Sequence, residues 1–316
     1  MAANTAEALI LSHPTNPMHN PGYVTQSDKV WARDFKAIKT VTTQTIIGGD
    51  GKTHANFEDS FMKLQDDDAL RFREPAVHPN NRLWRLETEA DCENWFNSEI
   101  TNVVLSAWNT YPPVTQSSHT KPISEENITE NIDCTFSVKI GNQRRTVAIG
   151  EFKRNLISAE WQTGSINKSG QRTFSKELRG YAHKYQCPQV FCFDGARLIL
   201  LQFRAFRLDD IKEESCKIDC WVFPVKTSSC SLRYALYRLL AQGWRRCQGE
   251  LAPACTIGGL QPYAREFFTG LPIWRYNNQK SKSHPAGYQR TVDQRTGALA
   301  WIHQAAQTEF ETGTFW

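Results

Sequence analysis

Hydrophobic and polar positions alternate most regularly in the middle of the chain, over residues 132–138 and 147–153. A two-residue period sends successive side chains to opposite faces of a strand. The second run therefore directs Val147, Ile149, Glu151 and Lys153 to one face, an ammonium and a carboxylate at the end of an apolar strand. Gly141-Asn142 between the runs is a turn signal, so the two strands are expected to pair as a hairpin. That hairpin brings Asp133 beside Glu151 and Lys153. Further strands are expected at 41–47, which ends at Gly48-Gly49-Asp50-Gly51, at 190–193 and 198–203 around Asp194-Gly195, and at 218–225.

Elsewhere the period becomes helical. Thr88-Glu89-Ala90-Asp91 is close to a capping box, and Cys92, Trp95, Phe96, Ile100, Val103, Val104 and Trp108 follow as an apolar stripe. Glu99 falls inside that stripe. A carboxylate there is costly unless something pairs with it, so it is either salt-bridged to a core-facing arginine or part of a site. A second helix spans 176–185, with Leu178, Tyr181, Ala182 and Tyr185 on one side; His183 is read as a surface residue of it. A third spans 231–247, with Arg238, Arg245 and Arg246 off its apolar stripe on an expected solvated face. The last two also complement the helix dipole. Short helices are expected near Phe57, Phe61 and Leu64 and over 298–308.

The rest reads as connection. Residues 1–27 form a flexible arm, or one that packs only by wrapping around the body. Asp66-Asp67-Asp68 is read as a solvated loop, 109–130 as a Pro-, Ser- and Thr-rich loop, and 276–290 as a mobile basic loop. The polar connector 158–175 is long enough to be a mobile lid. Neither a repeat nor a linker interrupts 28–316, so one globular domain is expected.

Composition narrows the function classes. With 316 residues, 40% hydrophobic and 22% charged, the chain has material for a sizeable core. A net charge of +4 permits a polyanionic partner without demanding one. The nine cysteines are odd in number and form no pair of CxxC elements, which favours reduced thiols over a disulfide scaffold or a zinc site. No stretch has transmembrane length and no basic leader precedes the apolar run at 8–11, so a soluble, cytoplasmic protein without membrane contact is expected.

The order of these parts resembles the PD-(D/E)XK nuclease superfamily, whose core is a helix, a mixed sheet and a helix. The resemblance covers about residues 88–225 and implies an α/β (α+β) fold with a core there, a mixed central sheet flanked by helices, carrying N- and C-terminal extensions. Asp133 stands at the first acidic position, Glu151 at the second, Lys153 at the lysine and Glu99 at the helix-borne glutamate. Lys176, Arg179 and Tyr181 fall on the following helix, where basic or polar helpers occur. Ile132 stands where a proline often precedes the first acidic residue. A nuclease of this type would hold Mg²⁺ on Asp133, Glu151 and Glu99. The metal would activate water and polarise the phosphoryl group, with Lys153 orienting the attack on a nucleic acid. Basic loops would contact the backbone.

A second resemblance lies within the first. Residues 150–157, 178–182 and 233–238 are similar to the fungal arginine-containing cyclodipeptide synthases. This implies condensation of arginine from Arg-tRNA with a second aminoacyl-tRNA into a diketopiperazine, without a cofactor. An acidic cluster suited to a divalent cation can instead hold a guanidinium by charge-assisted bonds. Lys153 or Tyr181 would assist proton transfer as the amine attacks the activated ester. Arg154, Lys176 and Arg179 would contact substrate. Two plainer readings stand beside these: a non-catalytic nucleic-acid-binding module, and a salt-bridge network of Asp133 and Glu151 with Lys153 and Arg154. Ser158, Ser165 and Ser175 sit in no recognisable nucleophile elbow.

Overall fold

A computed structural model describes residues 4–110, 112–122, 130–252, 254–305 and 308–313. Parts of the arm, of the loop at 109–130 and of the stretch 298–308, together with the last three residues, lie outside them. The protein is a mixed α/β structure built on a seven-stranded sheet. Its strands are β1 (Thr42–Thr43), β2 (Val114–Thr120), β3 (Ile132–Ile140), β4 (Gln143–Phe152), β5 (Gln189–Phe193), β6 (Arg197–Phe203) and β7 (Ile218–Pro224). The spatial order is β1-β7-β6-β5-β4-β3-β2.

The central hairpin pairs β3 with β4, with Cys134 opposite Gly150, so Asp133 stands across from Glu151. From β4 the chain crosses over through a helix to β5, which runs parallel to β4 with Cys192 opposite Glu151. A parallel partner requires such a crossover. The Asp194-Gly195 turn then closes the β5–β6 hairpin. Gly195 adopts φ +83°, a left-handed conformation natural to glycine.

Helices cover both faces, which is why β5 is buried at every position rather than alternating. One face carries α1 (Ala6–Leu11), α3 (Glu89–Phe96) and α5 (Leu232–Leu251). The other carries α4 (Ser169–Lys184). The capping box forms as expected: Asp91 N–H donates to Thr88 Oγ1 (3.1 Å) and Thr88 N–H to Asp91 Oδ2 (2.8 Å). The helix then runs on through a π turn at Asn97–Thr101 into Asn102–Ser106.

Several expectations give way to tertiary structure. A register shift in β4 between Thr146 and Ala148 turns Val147 toward α5, away from the face of Ile149 and Glu151. The helix packs on this bulge at backbone distance: a Cβ on Gly243 would lie 2.0 Å from the Val147 carbonyl oxygen. The 109–130 stretch contains strand β2. The helix expected around Phe57–Leu64 starts later, as α2 (Asp66–Phe72), and the acidic run is its first turn, with Asp67 and Asp68 buried. Arg238, Arg245 and Arg246 are buried, not solvated.

The connector 158–175 is no lid, because Trp161 and Ile166 pack into the α4-side core and the helix already begins at Ser169. His183 is half-buried, its ring 6.0 Å from that of Phe35. The C-terminal stretch forms two three-stranded sheets over a small core of Cys255, Ile257, Trp274 and Trp301. Within it the basic loop pairs as Pro272–Tyr276 with Gln279–Ser281 and buries His284, and the expected last helix is the strand Leu299–Ile302. The nine cysteines are unpaired. Among the described residues no helix is long and apolar enough to cross a membrane.

Candidate functional site

Glu151 and Lys153 close the α4-facing edge of β4, where the apolar run ends. Lys153 Nζ lies 2.5 Å from Glu151 Oε1 and 3.2 Å from Glu177 Oε1. Glu177 comes from α4, between Phe174 and Tyr181 on its buried side. All three side chains are buried. Glu177 Oε2 accepts the Ser27 hydroxyl, whereas Glu151 Oε2 has no hydrogen-bond partner among the described residues.

Asp133 sits at the margin. Its Oδ2 accepts the Phe152 N–H (2.8 Å), and its Oδ1 lies 3.7 Å from His119 Nδ1. The other ring nitrogen of His119 is 3.3 Å from Glu93 Oε2 on α3. Carboxylates from β4 and α4 thus pair with Lys153, Asp133 of β3 stands beside them, and Glu93 of α3 joins Asp133 through His119. Burial pushes the Glu151 carboxyl well above its usual range; Lys153 opposes this, and Asp133 and Glu177 add to it. Burial likewise raises Asp133, against the Phe152 N–H and Lys153. Lys153 is itself desolvated, but Glu151 and Glu177 outweigh that and keep it an ammonium.

The helix-borne glutamate of this cluster is Glu93, not Glu99. The Glu99 carboxylate takes hydrogen bonds from Asn16 Nδ2 (2.7 Å) and Trp84 Nε1 (2.9 Å), which tie the arm to the π turn. Periodicity pointed to Glu99 because it interrupts an apolar stripe. Glu177 interrupts the stripe of Phe174, Leu178 and Tyr181 in the same way, so that signal was present for it. Glu93 carried no such mark.

The remaining expected site residues are dispersed. The Tyr181 hydroxyl donates to the Asn131 carbonyl (3.0 Å). Burial, then Glu151, Glu177 and Asp133, hold its phenol firmly protonated, so it offers no base. Arg179 anchors α4 by donating to the Ile211 and Glu213 carbonyls. Lys176 is half-exposed, with no hydrogen bond or ion pair among the described residues. Arg154 is buried beside the arm: its backbone exchanges hydrogen bonds with Thr25, its Nη2 lies 3.4 Å from Asn20 Oδ1, and its Nε and Nη1 have no hydrogen-bond partner among the described residues.

The arm therefore lies across the end of β4. Through Asn20, Thr25 and Ser27 it contacts Asn155, Arg154 and Glu177. Among the described residues no three His, Cys, Asp or Glu side chains converge to hold a metal ion. One oxygen of Glu151 is occupied by Lys153 and one of Asp133 by the Phe152 amide, and these two bonds leave the second oxygen of each carboxylate unused. Neither a known protein family nor any curated protein or solved structure matches the chain.

Proposed function

We propose that this chain is an aminoacyl-tRNA-dependent cyclodipeptide synthase whose acidic pocket receives the side chain of an arginyl ester. The observation that carries the reading is charge: Glu151 and Glu177 pair with Lys153, Asp133 and Glu93 stand at the margin against His119, and Glu151 keeps a buried oxygen with no hydrogen-bond partner among the described residues. A pocket with excess carboxylate attracts a cation and repels a phosphodiester. A guanidinium is planar and forked, which suits carboxylate oxygens.

In this reading Asp133 and Glu93, at the less buried margin, grip the guanidinium. Glu151, whose carboxyl is pushed upward by burial, takes up and hands on the proton. Lys153 holds Glu151 and Glu177 in place. The free amine of one aminoacyl ester attacks the carbonyl carbon of the other. A C–N bond forms, the C–O bond to the tRNA ribose breaks, and the amine proton passes by way of Glu151 to the departing hydroxyl. A second attack of the same kind closes the ring and frees the second tRNA. The esters are already activated, so positioning supplies most of what the reaction needs. The Ser27 contact has to open for substrate to enter.

One observation favours a second reading, a nuclease on a PD-(D/E)XK-like core. The order α3, β2, β3, β4, α4, β5, with Glu93, Asp133, Glu151 and Lys153 at one sheet end, is the order that resemblance implies. Mass spectrometry on extracts of a host expressing the protein separates the two. A cyclic arginine dipeptide made by the wild type and absent with Glu151→Gln is the expected result. No such mass from folded protein, together with Mg²⁺-dependent cleavage of plasmid or tRNA, would sink the synthase and establish the nuclease.

A further inference from the structure

Two turns far apart in the chain meet beside a cavity of about 390 Å³ that no residue of the Lys153 cluster lines. The first is Gly48-Gly49-Asp50-Gly51, which closes the hairpin of Thr45–Ile47 with Thr53–Ala55. The second joins β7 to α5 and carries Ser229. Two backbone bonds clamp them together: the Thr53 N–H donates to the Thr227 carbonyl (2.8 Å) and the Ser229 N–H to the Thr53 carbonyl (2.9 Å). His54 and Ser229, both on the cavity wall, are thereby brought together, with Ser229 Oγ 3.1 Å from His54 Nδ1. The other ring nitrogen, Nε2, lies 3.0 Å from Asp50 Oδ1. We propose that Ser229, His54 and Asp50 form a catalytic site of their own, a serine esterase acting on small uncharged carboxylic esters.

The bonds decide which group gives the proton. His54 first, and then the Lys52 N–H, hold the Asp50 carboxyl below its usual range, so it only accepts. Nε2 therefore carries a hydrogen, which leaves Nδ1 of the neutral ring as an acceptor and the Ser229 hydroxyl as its donor. A serine nucleophile needs this arrangement, a base on the hydroxyl and a carboxylate orienting the base. The Thr53 carbonyl, 2.9 Å from the same Oγ, shares the proton and fixes the hydroxyl's position. Glycine at 48 makes room for the pair: a Cβ there would lie 2.8 Å from the His54 ring and 2.9 Å from Asp50 Oδ1. Donors for an oxyanion follow next in the chain. Cys230 and Ser231 line the cavity, and their N–H groups donate no hydrogen bond among the described residues. Helix α5 then begins, with the positive end of its dipole there.

Phe57 and Tyr234 give the cavity an aromatic wall, and Glu58 pairs with Arg238 at 3.2 Å, which leaves no net charge to hold an ionic substrate. Ser229 Oγ bonds to the ester carbonyl carbon as its proton moves to His54 Nδ1. The C–O bond to the alcohol breaks, and the alcohol leaves with that proton. Water attacks the acyl-serine by the same route, which frees the acid and restores the hydroxyl.

The test is hydrolysis of p-nitrophenyl acetate by the purified full chain without tRNA, beside mass spectrometry after treatment with a fluorophosphonate. Saturable hydrolysis is expected, with a single phosphonyl group mapped to Ser229. Ser229→Ala and His54→Gln should each lose about 100-fold or more in kcat. Asp50 acts through His54 as a positioning residue, so Asp50→Asn should lower kcat by about tenfold or more with KM unchanged. All three side chains are exposed or half-exposed, so the variants are expected to keep the wild-type far-ultraviolet circular dichroism. The proposal is overturned if Ser229→Ala hydrolyses the ester as fast as the wild type, if the fluorophosphonate leaves Ser229 unmodified, or if His54→Gln keeps full kcat.

Discussion

Two buried ionic clusters in this molecule are built from the same chemical groups and settle differently. In the first, Asp67 and Asp68 of α2 meet Arg71 and Arg245. Arg71 donates to Asp68 Oδ1 (2.8 Å) and to Asp67, Arg245 donates to Asp67, and the Tyr237 hydroxyl donates to Asp68 (2.6 Å). The Gln65 N–H takes the remaining Asp68 oxygen (2.7 Å). Arg71 also lies 4.2 Å from the Trp108 ring centroid. Cations and carboxylates balance. Burial opposes ionisation of Asp67, yet Arg245 and Arg71 outweigh it and hold the carboxyl below its usual range.

In the second cluster Lys153 faces an excess of carboxylates, Glu151 is driven the other way, and one of its oxygens is unmatched. A balanced network is architecture, tying α2 to α5. An unbalanced one stores unfavourable charge that a cationic ligand can relieve. Such a site lowers stability in return for binding.

The sharpest way to break the comparison is Arg245→Ala. It leaves Asp67 buried with half its partners and should cost about 3–5 kcal/mol in chemical denaturation. Glu151→Gln should cost no more than about 1 kcal/mol, or even stabilise, since it removes a carboxyl that burial already disfavours. A loss as large as that of Arg245→Ala would show that both clusters are structural.

The pH dependence should separate them by sign. Asp67 is depressed from 3.8, so its contribution is present above that pH and lost as pH falls through the folded value. Glu151 is raised from 4.5, so its contribution is complete below that pH and lost as pH rises through the folded value. Denaturation across pH should show both declines in the wild type. In Glu151→Gln the high-pH decline should weaken while the acid decline persists; an unchanged high-pH limb would refute the assignment. The smallest effect belongs to Ser27→Ala, about 0.5–1 kcal/mol, with faster amide exchange around residue 27 as its readout. Unaltered exchange would mean that the Ser27–Glu177 bond does not hold the arm.

Legibility followed the range of the interaction. Asp133, Glu151 and Lys153 could be brought together from sequence because a hairpin with a turn signal is a local object, and its register follows from alternation. Glu177 was legible in principle from the same interruption that drew attention to Glu99. Glu99 drew attention because a buried carboxylate announces that it has a partner without saying which. Here the partners were Asn16 and Trp84. The solvated readings of Asp67, Asp68 and Arg245 failed together, because each was judged by residue type alone, while Asp66 is exposed. They bury one another across 178 residues of chain.

By itself, the sequence determined the central hairpin, the capped helix, the α4 and α5 stripes and the Asp194-Gly195 turn. Each rests on periodicity, capping or turn chemistry within a few residues. Tertiary structure alone decided the bulge at Val147, the position of the arm across β4, the pairing of Asp67 with Arg245, and the placing of Glu177 beside Lys153 and of Glu93 beside His119. Those outcomes depend on which distant groups reach the same desolvated place. The energy of a buried charge is set by its neighbours there, not by its neighbours along the chain.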